Sequence, residues 1–113
     1  MEKTVLIGEI EVPMKATANT PKRYRQEFNK DLIIQMQNLY NHLDLKSGVF
    51  KGDANLEVID NLAYIMAKQA DNTIGSQDEW LDQFGPTDIY NAMAQIISVW
   101  TDTTETLSTA KKK

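Results

Sequence analysis

The chain has 113 residues and a mass of 12.8 kDa, the size of one domain. Its 12 Lys and Arg against 16 Asp and Glu give a net charge of -4, whereas a general nucleic-acid binder is usually basic. With no Cys and one His, the sequence excludes disulfides, cysteine nucleophiles and multi-histidine metal sites. We therefore expect a small non-enzymatic domain without catalytic, cofactor-binding or metal-binding residues.

The sequence contains no recognisable targeting segment. The apolar run near its start, Val5-Leu6-Ile7, is too short for a signal peptide. No run approaches the ~18 apolar residues of a membrane span. Together with the lack of Cys, this predicts a cytoplasmic protein that does not bind membranes.

Residues 3–15 are predicted to form a β-hairpin. Ile10 and Val12 alternate with acidic residues, the pattern of a half-buried strand. Gly8 can adopt the positive φ that a tight reversal needs. Pro13 either ends the second strand or marks it as an edge. Because an isolated hairpin is marginally stable in water, it must pack on the helices or pair with another chain.

A long helix is predicted to begin at Thr20 and Pro21, residue types that favour the N-cap and the first helical position. Apolar residues then recur every three or four positions, forming one stripe along about six turns. The stripe consists of Tyr24, Phe28, Leu32, Met36, Leu39 and Leu43. Ile33, Ile34 and Tyr40 widen it, which predicts that the helix is buried on more than one side.

Three further helices are predicted after a loop at Lys46 to Asp53. The first runs near Ala54 to Asp71, with Asp53 as its cap, and the second begins with a capping box at Ser76 to Glu79. Gly85 fits the left-handed position that ends this second helix. The last helix begins at Thr87 or Asp88 and carries an apolar stripe. That stripe consists of Ile89, Met93, Ile96, Ile97 and Trp100.

After Trp100 the sequence is mostly Thr, Asp, Glu and Ser, which buries too little apolar surface to offset the entropy of ordering. Residues 101–113 are therefore predicted to be frayed helix passing into a flexible polar tail. Residues 1–100 are predicted to form a mainly α single domain, with about four helices and the short N-terminal hairpin.

Three polar features are candidate sites, and each has a simpler interpretation. His42 has no partner that would make it a catalytic base, so a structural or surface role is favoured. The acidic residues Asp78, Glu79 and Asp82 lack the spacing of a calcium loop and suit the first turn of a helix. Lys22, Arg23 and Arg25 surround Tyr24, which could stack on a base but is also the first residue of the apolar stripe.

The sequence holds more large apolar side chains than one small core needs, and exposed apolar patches often mark partner surfaces. Tyr64 and Ile65 lie beside the main stripe of their helix, and Trp80, Leu81 and Phe84 lie on a short helix between two breaks. These five residues are the predicted partner-binding residues. We expect Trp80→Ala and Phe84→Ala to weaken partner binding without unfolding the domain.

Several stretches of the chain, taken in this order and spacing, are similar to one protein family. They are the N-terminal hairpin, Arg23-Tyr24-Arg25 with Phe28 and Asp31-Leu32, residues 61–71, residues 80–84, Asp88-Ile89-Tyr90, Trp100 and the lysine-ended tail. In these stretches the chain resembles the tail assembly chaperones of phages and prophages that have long, non-contractile tails and infect Gram-positive bacteria. The resemblance covers nearly the whole chain.

The resemblance implies a non-enzymatic assembly factor that binds the tape measure protein, keeps it soluble and helps to recruit tail tube subunits. It implies action in the cytoplasm of the infected or lysogenic host and absence from the mature virion. Family members usually occur with a longer form made by ribosomal frameshifting. Because Lys codons are A-rich, Ala110 to Lys113 can be encoded by a slippery run, which agrees with this expectation.

Self-association through the hairpin edge or a helical face also stays open. Two other functions remain as alternatives at this stage. One is a small phage nucleic-acid-binding regulator that uses Lys22, Arg23 and Arg25. The other is a structural head-tail or tail component of the virion.

Overall fold

The computed structural model describes residues 2–44, 49–50, 52 and 55–101 of the chain. Two antiparallel strand pairs and six helices form in these residues, so the predicted mainly α domain with an N-terminal hairpin is confirmed, whereas about four helices was too few. The elements are β1 (Glu2–Ile7), β2 (Ile10–Lys15), α1 (Thr20–Phe28), α2 (Leu32–Asn41), β3 (Leu43–Asp44), β4 (Val49–Phe50), α3 (Glu57–Ala70), α4 (Gln77–Leu81), α5 (Asp88–Asn91) and α6 (93–101).

The N-terminal hairpin lies on the helices, and its reversal is at Gly8 as predicted. Val5 pairs with Val12 and Ile7 pairs with Ile10. The alternate side chains Val5, Ile7, Val12 and Met14 are buried, and β2 packs against α3. Gly8 has a φ of 60°, and a Cβ there would meet the Asp88 carboxylate at 2.6 Å. Strand β2 continues past Pro13, which pairs with Thr4 in a two-stranded sheet whose strands are both edges.

The predicted long helix is in fact two helices, α1 and α2. Asn29 adopts a left-handed φ of 56°, and its N–H donates to the carbonyl of Arg25 at 2.8 Å, which ends α1. Asp31 is extended, and its carboxylate accepts from the N–H of Ile34 at 3.1 Å, which starts α2. The apolar spacing from Phe28 to Leu32 stays helical across this break, so periodicity alone does not show it.

Helix α3 is the centre of the domain. Seven consecutive residues, 61–67, are buried, because β2, α1, α2, α4 and α5 all pack around the helix. It begins at Glu57, later than predicted, and the N–H of Glu57 donates to the Asn55 side chain at 3.2 Å. The predicted cap Asp53 and the first predicted residue, Ala54, lie outside the described residues.

A row of polar side chains ties four helices together. The side-chain amide of Gln77 in α4 donates to the side-chain oxygen of Asn61 in α3 at 2.8 Å. The side-chain nitrogen of Asn61 donates to the Tyr24 hydroxyl of α1 at 3.3 Å. That hydroxyl donates in turn to Gln35 of α2. Tyr24 and Asn61 are buried, so this network satisfies polar groups that would otherwise be costly inside the core.

The predicted last helix is also divided. Helix α5 ends at Asn91, and the next residue, Ala92, has a φ of -93° and a ψ of 5°, which are not helical; α6 then covers residues 93–101. Ser76 caps α4 by accepting from the N–H of Glu79, as predicted. Gly85 is not left-handed, and its N–H donates to the Asp88 carboxylate at 2.9 Å.

The described residues contain no helix long and apolar enough to cross a membrane. Of the predicted tail, residue 101 belongs to α6, and residues 102–113 lie outside the described residues.

Candidate partner-binding site

Five aromatic rings form a continuous series from α1 across α3 to the end of α4. The centroid of Tyr24 is 4.9 Å from that of Phe28, and the centroids of Phe28 and Tyr64 are 6.5 Å apart. The series continues from Tyr64 to Trp80 at 5.8 Å and from Trp80 to Phe84 at 5.0 Å. These five rings, the aromatic cluster, have the tilted and edge-on arrangements that aromatic side chains favour in protein cores.

The aromatic cluster corrects the prediction that the partner-binding residues are exposed. Tyr64, Ile65 and Trp80 expose 1%, 3% and 5% of their surface. The reason is that strands and helices pack around residues 61–67 of α3, so residues beside its main stripe are buried too. The Tyr64 hydroxyl also donates to the carbonyl of Gly75 at 2.6 Å. Partner binding by these three residues stays a prediction, but exposure no longer supports it.

Leu81 and Phe84, the other two predicted residues, are partly buried and line a groove. Its volume is about 190 Å³, enough for one large side chain. It is lined by Asp60 of α3 together with Leu81, Phe84, Gly85, Pro86, Ile89 and Tyr90. We call this site the Phe84 groove.

The carboxylate of Asp60 is the charged group of the Phe84 groove. It accepts from the Tyr90 hydroxyl at 3.1 Å, and no Lys, Arg or His of the described residues lies within ion-pair distance of it. Partial burial raises the pKa of Asp60, although the bond from Tyr90 opposes this shift, and repulsion from Glu57 adds to it. Burial is also the main reason that the pKa of Tyr90 is raised.

The most exposed apolar side chains of α2 are residues that the sequence analysis assigned to the core. Ile33, Ile34 and Tyr40 are 50%, 58% and 37% exposed. Because a helix has about 3.6 residues per turn, Ile33 and Tyr40 share one flank and Ile34 lies opposite the buried side. We call these three residues the α2 face. The prediction that this helix is buried on more than one side is wrong.

One signal in the sequence could have identified the α2 face. Ile33 and Ile34 directly follow Leu32, so they cannot share the side of the helix defined by Leu32, Met36 and Leu39. A second exposed pair, Leu6 and Ile10, lies at the turn end of the N-terminal hairpin, with 52% and 36% of the surface accessible.

The cations of α1 do not surround an accessible aromatic ring. Tyr24 is fully buried and holds the polar network together, so it cannot stack on a base. Arg25 lies 3.9 Å from Asp31 on the surface. Arg23 lines an open groove of about 340 Å³ between α1 and α3, with Glu27 and Lys68 on its rim and Ile65 among its lining residues. This groove is polar and of mixed charge.

The remaining candidate residues have local roles. The Nδ1 atom of His42 lies 2.8 Å from the carbonyl oxygen of Asn38, one turn earlier in the chain. Asp78 and Glu79 occupy the first turn of α4, where negative charge is favourable. Among the described residues, no three His, Cys, Asp or Glu side chains are grouped so as to hold a metal ion.

A comparison of the chain with protein-family models, curated proteins and solved structures finds no match.

Proposed function

We propose that the chain is a phage tail assembly chaperone. In this role it binds the tape measure protein, keeps that long apolar helical protein soluble and helps to recruit tail tube subunits around it. It acts in the cytoplasm of the infected or lysogenic bacterium by adhesion, without catalysing a reaction, and is absent from the finished virion.

The α2 face is the observation that carries this proposal. Two isoleucines with half or more of their surface in water and a tyrosine that is 37% exposed form an apolar helix surface on a small acidic domain. Such surfaces are typical of partner sites, and an apolar helix face suits another amphipathic helix. Leu6 and Ile10, on opposite faces of the hairpin near its turn, add two further exposed apolar side chains that could contribute weak contacts with a long client.

The charge of the chain supports the same role. A net charge of -4 on each bound copy would repel neighbouring complexes and keep a loaded client in solution. The sequence resemblance to tail assembly chaperones adds the identity of the client.

Co-expression tests the proposal. The chain would be expressed with and without the tape measure protein encoded in the same gene cluster, and the soluble fraction of the tape measure protein would be quantified. We expect a large soluble fraction with the chain and a small one without it. Equal solubility in both cases would contradict the proposal.

Analysis of purified phage particles separates a chaperone from a structural component. Mass spectrometry should detect tail tube and tape measure proteins and no stoichiometric copy of this chain. Its presence at a fixed copy number would support the structural alternative. For the nucleic-acid alternative, burial of Tyr24 removes the stacking contact that favoured it.

A further inference from the structure

Among the described surfaces, the Phe84 groove combines an apolar lining with one carboxylate, that of Asp60. The groove takes one large side chain, and most of its wall is apolar: Leu81, Phe84, Pro86, Ile89 and Tyr90. Leu81 and Phe84 line the groove and are partly buried because they pack against the core. Phe84 also contacts the Trp80 ring, with centroids 5.0 Å apart. An apolar side chain of a partner would therefore meet a preformed surface.

Asp60 gives the groove a negative charge, and among the residues that the structure describes no Lys, Arg or His forms an ion pair with it. Asp60 has the Tyr90 hydroxyl as its hydrogen-bond donor, which leaves acceptor capacity on the carboxylate. Glu57 lies one turn earlier on α3 and adds negative charge, although Lys30 lies 4.0 Å from it. A carboxylate that is partly removed from water gains more from an incoming cation than a fully exposed one does.

We propose that the Phe84 groove binds an amphipathic helical segment of a partner protein in which a large apolar residue lies one turn from a Lys or Arg. The apolar side chain fills the groove and the cation pairs with Asp60. Spacings of three or four residues place two side chains on the same side of a helix, which matches one pocket with an adjacent charge. This inference rests on the proposed function only in taking the tape measure protein as the partner.

Peptide binding tests the groove directly. Overlapping synthetic peptides that cover the tape measure protein would be titrated into the full-length chain, and affinity measured by calorimetry at low and moderate salt. We expect the tightest peptides to contain the apolar and basic pair. Their affinity should fall about ten-fold with Asp60→Asn, and this variant should also lose most of the salt dependence.

Asp82→Asn is the matched control. It makes the same change in net charge on an exposed residue that directly follows α4, outside the lining of the groove. We expect less than a two-fold change with it. A similar loss for Asp60→Asn and Asp82→Asn would overturn the proposal, as would a preference for acidic peptides.

Substitutions in the peptide keep the test independent of protein folding. Replacing the basic residue of the tightest peptide by Gln should cause the same ten-fold loss on the unchanged protein, and no further loss on Asp60→Asn. Additive losses would contradict a direct pair between the cation and Asp60.

A shortened chain that ends at residue 101 tests whether the lysines at the end of this chain occupy the groove instead of a partner. If Lys111 to Lys113 filled the groove, removing them would raise peptide affinity several-fold, and this would overturn the assignment to a partner. We expect no change. The two proposals can fail separately. If the tape measure protein stays soluble but peptide affinity does not depend on Asp60, only the groove proposal is contradicted. If peptide affinity depends on Asp60 but the co-expressed tape measure protein is insoluble, only the chaperone proposal is contradicted.

Discussion

The aromatic cluster and the α2 face show opposite relations between side-chain type and exposure. The cluster contains Tyr64 and Trp80, large residues of the kind found at protein interfaces, yet both are almost fully buried. The α2 face contains Ile33 and Ile34, residues of the kind found in cores, yet both are half exposed or more. Position in the packing, rather than residue type, decides which of these surfaces a partner can reach.

The largest expected effect comes from Trp80→Ala in the aromatic cluster. It removes a buried ring between Tyr64 and Phe84, so we expect unfolding free energy to fall by about 3–5 kcal/mol. Urea unfolding followed by circular dichroism measures this. The sequence alone predicts that the fold tolerates this change, and a loss below about 1 kcal/mol would support that prediction.

Asn61→Ala should have the next largest effect, because it breaks the polar network inside the same region. The Gln77 side-chain amide would lose its acceptor, and the buried Tyr24 hydroxyl would lose its donor. We expect a loss of about 1–3 kcal/mol in the same urea experiment. Asn38→Ala, a change of the same type at an exposed position of α2, is the control. Equal effects of the two variants would show that the network contributes nothing.

Substitutions in the α2 face should leave the stability of the fold almost unchanged. The double variant Ile33→Gln and Ile34→Gln replaces exposed apolar side chains with good helix formers, so unfolding free energy should change by no more than about 0.5 kcal/mol. A fall of about 2 kcal/mol or more in unfolding free energy is typical of truncating one large apolar side chain in a core. A fall of that size would show that these residues belong to the core.

The smallest effects concern pH and distinguish a partly buried carboxylate from an exposed one. Burial raises the pKa of Asp60, so the folded state binds its proton more readily and loses stability as pH rises through the raised pKa. Bonds from Thr73 lower the pKa of Asp71, so that carboxylate stabilises the fold above its ordinary pKa and less as pH falls through the lowered value.

Thermal unfolding between pH 7 and strongly acidic pH measures both effects. Asp60→Asn should be more stable than the unchanged chain at neutral pH, and Asp71→Asn less stable. Both differences should disappear in acid, where the carboxyl groups are protonated. Changes of the same sign at neutral pH would contradict the assigned environments.

The sequence predicts those features of the fold that depend on local chemistry. Gly8 between two alternating strands predicts the hairpin, and Ser76 followed by Glu79 predicts the start of α4. The break at Asn29 could not be read from the spacing of apolar residues, since Phe28 and Leu32 remain four apart whether or not the helix continues. A left-handed Asn and an extended Asp after it depend on tertiary packing.

The candidate site was harder to predict than the fold. Ile65 lies off the main stripe of α3 and was expected to be exposed, but α1 covers that side of the helix. Ile34 lies off the stripe of α2 in the same way, and no described element covers it. The apolar periodicity of the sequence is the same in the two cases and cannot tell them apart. Which element packs on a given side of a helix depends on the whole domain. Leu81 and Phe84, two of the predicted partner-binding residues, line the Phe84 groove, whereas Asp60, which also lines it, was not singled out.

The most direct test of the account is the solubility of the tape measure protein when it is co-expressed with variants of the α2 face. The double variant at Ile33 and Ile34 is compared with Gln37→Ala and Asn38→Ala, which change exposed polar residues of the same helix. The account predicts that the double variant folds normally but no longer keeps the client soluble, while the control variants do. Full client solubility with a folded double variant would contradict the claim that this apolar surface performs the function.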